Sequence, residues 1–216
     1  MLRGPMPILR GSVTYTRHRA KWPGEAPRDQ KRLAKALRGR GFQPIDRSRE
    51  EDRAVGFVEL EATDSAEFGP GTFLYGEFLL FGWRVDQLRI PASLVRAELE
   101  RWVKAFERDK GRAPSKREKA DGKAAIAQLM RSKAEPKSKV FDVSWNLQSG
   151  EVLLWTSSRK VADELQQAIE QSFEVELAPL VPAAVAADME IADAALGPTP
   201  ELCGPALATE VEHGQA

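Results

Sequence analysis

Two histidines, His18 and His213, and one cysteine, Cys203, are all the imidazole and thiol in this 216-residue chain. A Ser-His-Asp system would have to use His18, which stands between Arg17 and Arg19 in a β-forming stretch. That setting suits a surface or phosphate-contacting residue better than a general base. One cysteine makes no disulfide framework, and without His/Cys clusters no zinc site is expected. No Gly-x-x-x-x-Gly-Lys-Ser/Thr phosphate loop occurs, and Gly39-Arg40-Gly41 follows a helical stretch, where it reads as a helix stop. A Mg²⁺-dependent nuclease needs two or three converging carboxylates with a nearby Lys. Glu59, Glu61 and Glu77 could meet on neighbouring strands, whereas Asp121-Gly122-Lys123 falls on a helix. A nuclease using those glutamates is the enzyme alternative; no catalytic residue, metal or cofactor is assigned.

Binding chemistry is better represented. The net charge is zero, yet residues 1–49 carry 13 Lys/Arg against three acids, and residues 96–139 carry 14 against seven. The stretches 50–95 and 140–179 are acidic, and 180–216 has six acids and no base. Two separated basic blocks suggest a surface for a polyanion. In the first block Arg17, Arg19 and Lys21 precede a helix on which Arg28, Lys31, Lys35 and Arg38 share one face, opposite Leu33 and Leu37. In the second, Lys116, Lys119 and Lys123 share a helix face, with Arg117 adjacent. Cations in a first helical turn oppose the dipole, at roughly 0.3–1 kcal/mol each, where a surface shaped for stability would carry acids. Together with free N–H groups they make a phosphate seat. The aromatics fall on apolar stripes and no base-reading motif is present, so the expected contact is with backbone phosphates, without sequence preference. A basic face that docks on an acidic protein is the remaining alternative.

The elements that must position these residues follow from periodicity. Residues 8–18 read as a strand, with Leu9, Val13 and Tyr15 set against Arg10, Ser12 and Thr14. Residues 23–27 connect it to a helix over 28–38, and 54–60 is a short strand. The apolar run 72–85 fits one buried strand or a hairpin turning at Tyr75-Gly76. Pro91 opens a helix with Val95, Leu99, Trp102, Val103 and Phe106 on one stripe. After Gly111–Pro114, Ser115-Lys-Arg-Glu118 is a capping box that starts a second helix running to about Met130. Phe141, Val143, Trp145 and Leu147 alternate, Ser149-Gly150 turns, and 152–155 returns. Ser157 or Ser158 caps a helix with Val161, Leu165, Ala168, Ile169 and Phe173 inward, and 174–177 is a last strand. This order predicts an α+β fold: a mixed or antiparallel sheet with strand-helix-strand units and a long two-helix excursion. The expected division is an α+β region over 1–180, with the excursion at 91–138, and a disordered Ala-, Pro- and acid-rich tail over 181–216. Neither a signal peptide nor a membrane-length apolar run is found, which suggests a cytoplasmic protein.

From about Met6 to Leu180 the chain resembles the bacterial recombination-associated RdgC family. The resemblance is carried by Gly41-Phe-Gln-Pro44, Gly56-Phe-Val58, Leu88-Arg-Ile-Pro-Ala-Ser-Leu-Val95 and Ser115-Lys-Arg-Glu-Lys119. The 141–155 hairpin, Ser158-Arg-Lys-Val-Ala-Asp-Glu-Leu165 and Leu177-Ala-Pro-Leu180 complete it in order. It implies an α+β protein forming a ring-shaped homodimer with a basic hole. Such a ring binds duplex DNA without sequence specificity, is nucleoid-associated and restrains recombinase filaments. Lys116, Arg117 and Lys119 match the family's Lys-rich helix start. Family members usually continue through a further part that completes the ring, and an acidic Ala/Pro-rich stretch stands in its place here. That stretch is expected to fold back on the basic surface and weaken DNA binding.

Overall fold

Side-chain alternation along the strands divides the molecule into a wet face and a dry one. In β1 (Thr16–Lys21) His18 and Ala20 are buried while Arg17, Arg19 and Lys21 are exposed. This computed structural model describes residues 14–24, 29–47, 49 and 51–191. The strand segment expected at 8–13, Arg28, Cys203 and His213 lie outside the described residues. α1 (Gln30–Gly39) begins at Asp29, whose carboxylate accepts the Lys31 N–H at 3.1 Å, and buries Leu33, Ala34 and Leu37. It is followed by β2 (Arg53–Val58), β3 (Leu74–Tyr75) and β4 (Phe78–Gln87). The 72–85 run is thus a hairpin, with Gly76 at φ 61° opening a Gly76-Glu77 turn one residue later than expected.

Next come α2 (Ala92–Lys110), α3 (Lys116–Lys133), β5 (Lys137–Asn146), β6 (Glu151–Leu154), α4 (Arg159–Phe173) and β7 (Glu176–Pro179). The sheet order is β2-β4-β5-β6-β1-β7, with β3 on β4 and every strand pair antiparallel. A single parallel bridge, Gly41 to Phe57, lies beside it. Together they make the α+β architecture expected from the sequence.

The dry face carries Phe57, Leu79, Phe81, Trp83, Val143, Trp145, Val152 and Leu154, all fully buried. α1 and α4 cover it, α4 contributing Leu165, Ala168, Ile169 and Phe173. Trp145 meets Phe173 edge-on at 5.1 Å and Phe57 meets Phe81 at 5.2 Å. Each such side chain contributes about 1.5–3 kcal/mol by leaving water. Gly56 lets residues 41–42 cross the other face closely: a Cβ there would lie 2.4 Å from the Phe42 Cα.

β4 and β5 pair over ten residues, from Phe78 with Asn146 to Gln87 with Lys137. The α2–α3 hairpin is therefore an arm inserted between two neighbouring strands, at the Gln87/Lys137 end. Inside it Trp102 stacks obliquely on Phe106 at 5.3 Å and fills the space over Gly122. No residue of α2 is buried, and in α3 only Gly122 and Ile126 are. The arm is tied to the sheet at its root, where Arg131 donates to the Asp52 carboxylate and to the carbonyls of Arg49 (2.8 Å) and Glu51 (2.6 Å). The expectation of a disordered tail from 181 needs correcting at its start. α5 (Pro182–Asp188) follows β7, with Pro in the first turn and Ala186 buried: proline preset for a helix start and a run of alanines favour helix there.

Candidate nucleic-acid interface

The arm's far end carries a cluster of exposed cations. Ser115 caps α3 through its hydroxyl, which accepts the Glu118 N–H at 3.3 Å, while the Glu118 carboxylate accepts the Ser115 N–H at 2.8 Å. Arg112 grips the same carboxylate through two N–H···O contacts of 2.7 and 2.9 Å. Those Arg112 hydrogen bonds first, and the Ser115 contacts second, hold the Glu118 pKa down at about 2. The one acid in the first turn is thus neutralised locally. Lys116, Arg117, Lys119 and Lys123 are all exposed, and none has an ion-pair partner among the described residues. From the rooted Arg131 to Lys116 the helix runs about 22 Å, so this cluster stands well away from the sheet.

The first basic block is divided by the fold. Arg17, Arg19 and Lys21 occupy the wet face of the sheet, while α1, with Lys31, Lys35 and Arg38, packs on the dry one through Leu33 and Leu37. These two groups do not form one patch. Arg17 donates to Glu151 at 2.7 Å. Arg38, expected in a phosphate-facing stripe, instead clasps the 67–68 backbone, with 2.5 Å to the Glu67 carbonyl and 3.0 Å to that of Phe68. Lys35 joins Arg32 and Arg40 around a cleft of about 470 Å³ against the end of α4, where Arg40 donates to Gln171 at 2.6 Å. Sequence reasoning missed Arg32 and Arg40; both flank the stripe it chose.

Tyr15, expected on the apolar side of its strand, shares the wet face with Arg17 and Arg19. It is 41% exposed and lies 5.1 Å from the Trp155 ring, whose N–H donates to Ser144 at 3.0 Å. The signal was in the sequence: Tyr15 has the same odd parity as the two arginines.

Among the carboxylates of the nuclease alternative, Glu59 has a structural role. Glu59 is buried and accepts from the Thr72 hydroxyl at 2.8 Å and the Gly69 N–H at 3.2 Å, which closes the 59–72 loop. Glu61 and Glu77 are exposed. Among the described residues no three His, Cys, Asp or Glu side chains are grouped to hold a metal ion. Asp121 and Lys123 lie on α3. Among the same residues, no helix is long and apolar enough to cross a membrane.

The model of the family described as "Putative exonuclease, RdgC" matches residues 15–192. The curated proteins contain no match. The matched span takes in all seven strands, the arm and α4, and the chain belongs to the recombination-related RdgC family.

Proposed function

We propose that this protein binds DNA through the phosphate backbone, without sequence preference, and that the tip of the α2–α3 arm is its principal contact. The observation that carries this reading is the tip itself: Lys116, Arg117, Lys119 and Lys123 are exposed at a positive helix start and have no ion-pair partner among the described residues. Flexible cations at such a position recognise phosphate oxygens and not base edges. An intramolecular role would have given them acidic partners, as it gave Arg112 its Glu118 and Arg131 its Asp52.

The protein acts as a homodimer in this reading. Leu94 and Leu129 are 55% and 56% exposed on the arm, and a groove of about 530 Å³ lined by Trp102, Ala105, Ile126 and Met130 runs beside Leu129. A second copy of the arm covers this apolar flank and brings two cationic tips to one duplex. The wet-face Arg17, Arg19 and Lys21 add phosphate contacts where the duplex passes the sheet. A protein of this kind is nucleoid-associated and restrains recombinases by occupying their substrate.

A mobility-shift titration with duplex DNA of unrelated sequences, run beside light scattering, tests the reading. Affinity falls about 10³–10⁵-fold between about 50 and about 200 mM salt if six to ten phosphates are neutralised, and differs little between sequences. A flat salt response removes it. Degradation of labelled linear DNA with Mg²⁺, above a buffer control, replaces it with the nuclease alternative.

A further inference from the structure

The start of α4 presents a second set of anion-binding groups, apart from the arm. Thr156, Ser157 and Ser158 lead into the helix, and Ser158 spends its own N–H on the Thr156 hydroxyl at 3.1 Å. Its side chain makes no cap hydrogen bond, and the first turn holds no acid. The first intrahelical bond runs from the Ala162 N–H to the Ser158 carbonyl at 2.9 Å. The N–H groups of Arg159, Lys160 and Val161 therefore have no acceptor among the described residues, and the first two of these residues are cations. The starts of α1 and α3, by contrast, are occupied by Asp29 and by the Ser115–Glu118 box.

A cavity of about 320 Å³ opens at this helix start, and its wall includes His18, Thr156, Ser157, Ser158, Arg159 and Asp163. His18 lines it from β1 and is only 6% exposed, and its Nδ1, itself shut off from solvent, has no hydrogen-bond partner among the described residues. A buried imidazole nitrogen without a partner is costly unless a ligand or water completes it. It is an observation independent of the helix, since it comes from a different element.

We infer that this cavity seats a phosphate dianion, taken by the free N–H groups of the α4 first turn, Arg159 and His18. Three N–H donors and a guanidinium gathered at one helix start suit a terminal phosphoryl group or free phosphate, whose three unesterified oxygens they can share. Asp163 on the wall opposes the anion, but it is exposed to solvent and lies one turn further along the helix. The site goes beyond the arm-based DNA reading and does not depend on it.

Histidine supplies the readout. The chain has two histidines, so only His18 and His213 contribute imidazole signals to an NMR spectrum. Burial keeps the His18 pKa below its usual value, against a smaller upward pull from Glu170. Arg159 and Asp163 of α4 also line the cavity beside it, and its strand partners, Val152 of β6 and Pro179 of β7, are not titratable. Inorganic phosphate is titrated at constant ionic strength against chloride. The His18 signal should move saturably and its pKa rise, while His213 stays put. A His18 signal that phosphate leaves unmoved, or that chloride moves equally, overturns the proposal.

Arg159→Glu, at an exposed position, should weaken phosphate binding about tenfold or more, the scale of one lost charge-assisted hydrogen bond. Unchanged binding in that variant also overturns it. His18→Gln, if folded by circular dichroism, should weaken phosphate binding as well, with wild-type affinity refuting the role of His18. Short duplexes with and without a 5′ phosphate then identify the source. Competition with phosphate by the phosphorylated duplex alone assigns a DNA end, and competition by neither assigns free phosphate. Because the arm cations are intact throughout, loss of this site and failure of DNA binding are read separately.

Discussion

Replacing Lys116, Arg117 and Lys119 together by Ala tests the arm most directly. All three are exposed and without an ion-pair partner among the described residues, and the nearby Glu118 is neutralised by Arg112, so three full charges are available to phosphates. For duplex DNA the slope of log K against log salt is about −0.9 per neutralised phosphate, so the triple variant should be shallower by about 2.7. Over a fourfold change in salt that difference amounts to about 40-fold in affinity, since four raised to the power 2.7 is about 40. If a dimer presents two tips to one duplex, the slope changes by about 5.4. The assay is a mobility shift or anisotropy titration at several salt concentrations, with circular dichroism to confirm that the fold is kept. Fold loss is not expected, because none of the three side chains contacts the core. An unchanged slope with unchanged affinity would show that the arm tip does not meet DNA.

Gly56→Ala should destabilise the fold severely, by more than about 3 kcal/mol, because the added Cβ meets the Phe42 Cα at 2.4 Å and N at 2.5 Å, and backbone cannot give way as a side chain can; denaturant unfolding with a wild-type midpoint would contradict this. In Gly122→Leu the added side chain starts 3.0 Å from three atoms of the Trp102 ring, so the arm should lose about 1–3 kcal/mol and expose Trp102, seen as a red-shifted fluorescence component. An unshifted spectrum would mean that the two helices separate without disturbing Trp102. The Glu118 carboxyl has a folded pKa lowered from 4.5 to about 2, so its contribution to the α3 start is complete above pH 4.5 and fades as pH falls toward 2. Glu118→Gln should remove that acid-side loss, and an identical pH profile in the variant would contradict the Arg112–Glu118 clamp. Residues 192–216 carry four acids and no Lys or Arg, so their removal should tighten DNA binding at low salt, and equal affinity would end the idea of an internal competitor.

Local patterns made much of the fold legible. The capping box at Ser115, the alternation of Phe141, Val143, Trp145 and Leu147, and the α4 stripe each specify an element through neighbours a few residues apart. The three depart little from expectation. The candidate site was less legible, because it depends on which face of an element looks where. The stripe Lys31, Lys35 and Arg38 is sound as helix geometry, yet Arg38 is drawn away by carbonyls some thirty residues distant. Nothing in a helical wheel announces such a partner. The 182–188 segment was hidden by composition: an acidic Ala/Pro stretch reads as unstructured, although Pro followed by alanines also starts a helix. Leu9 and Val13 before Tyr15 suggest an apolar side, whereas its parity with Arg17 puts it on the wet face.

The placement of the arm explains how one chain can carry both a well-packed sheet and a strongly cationic surface. Six Lys/Arg in excess of acids lie within 92–133, and concentrating that charge on the sheet would force like charges together over a low-dielectric core. Inserting the helices between β4 and β5 moves the charge outward while the ten-residue strand pairing closes beneath it. The cost is an arm with little core of its own: Trp102, Gly122 and Ile126 hold the helices together, and Arg131 fixes the root. Such an arm gains most from a partner that covers its apolar flank and an anion that meets its tip. The dimer proposed above would make the same two contacts, and would give the exposed leucines and the arm-tip cations a common explanation. Exposed leucines alone could serve any protein partner, and unpaired lysines alone could be a solvated face. Their coexistence on one thinly rooted hairpin is what favours a dimer closed around, or along, a duplex.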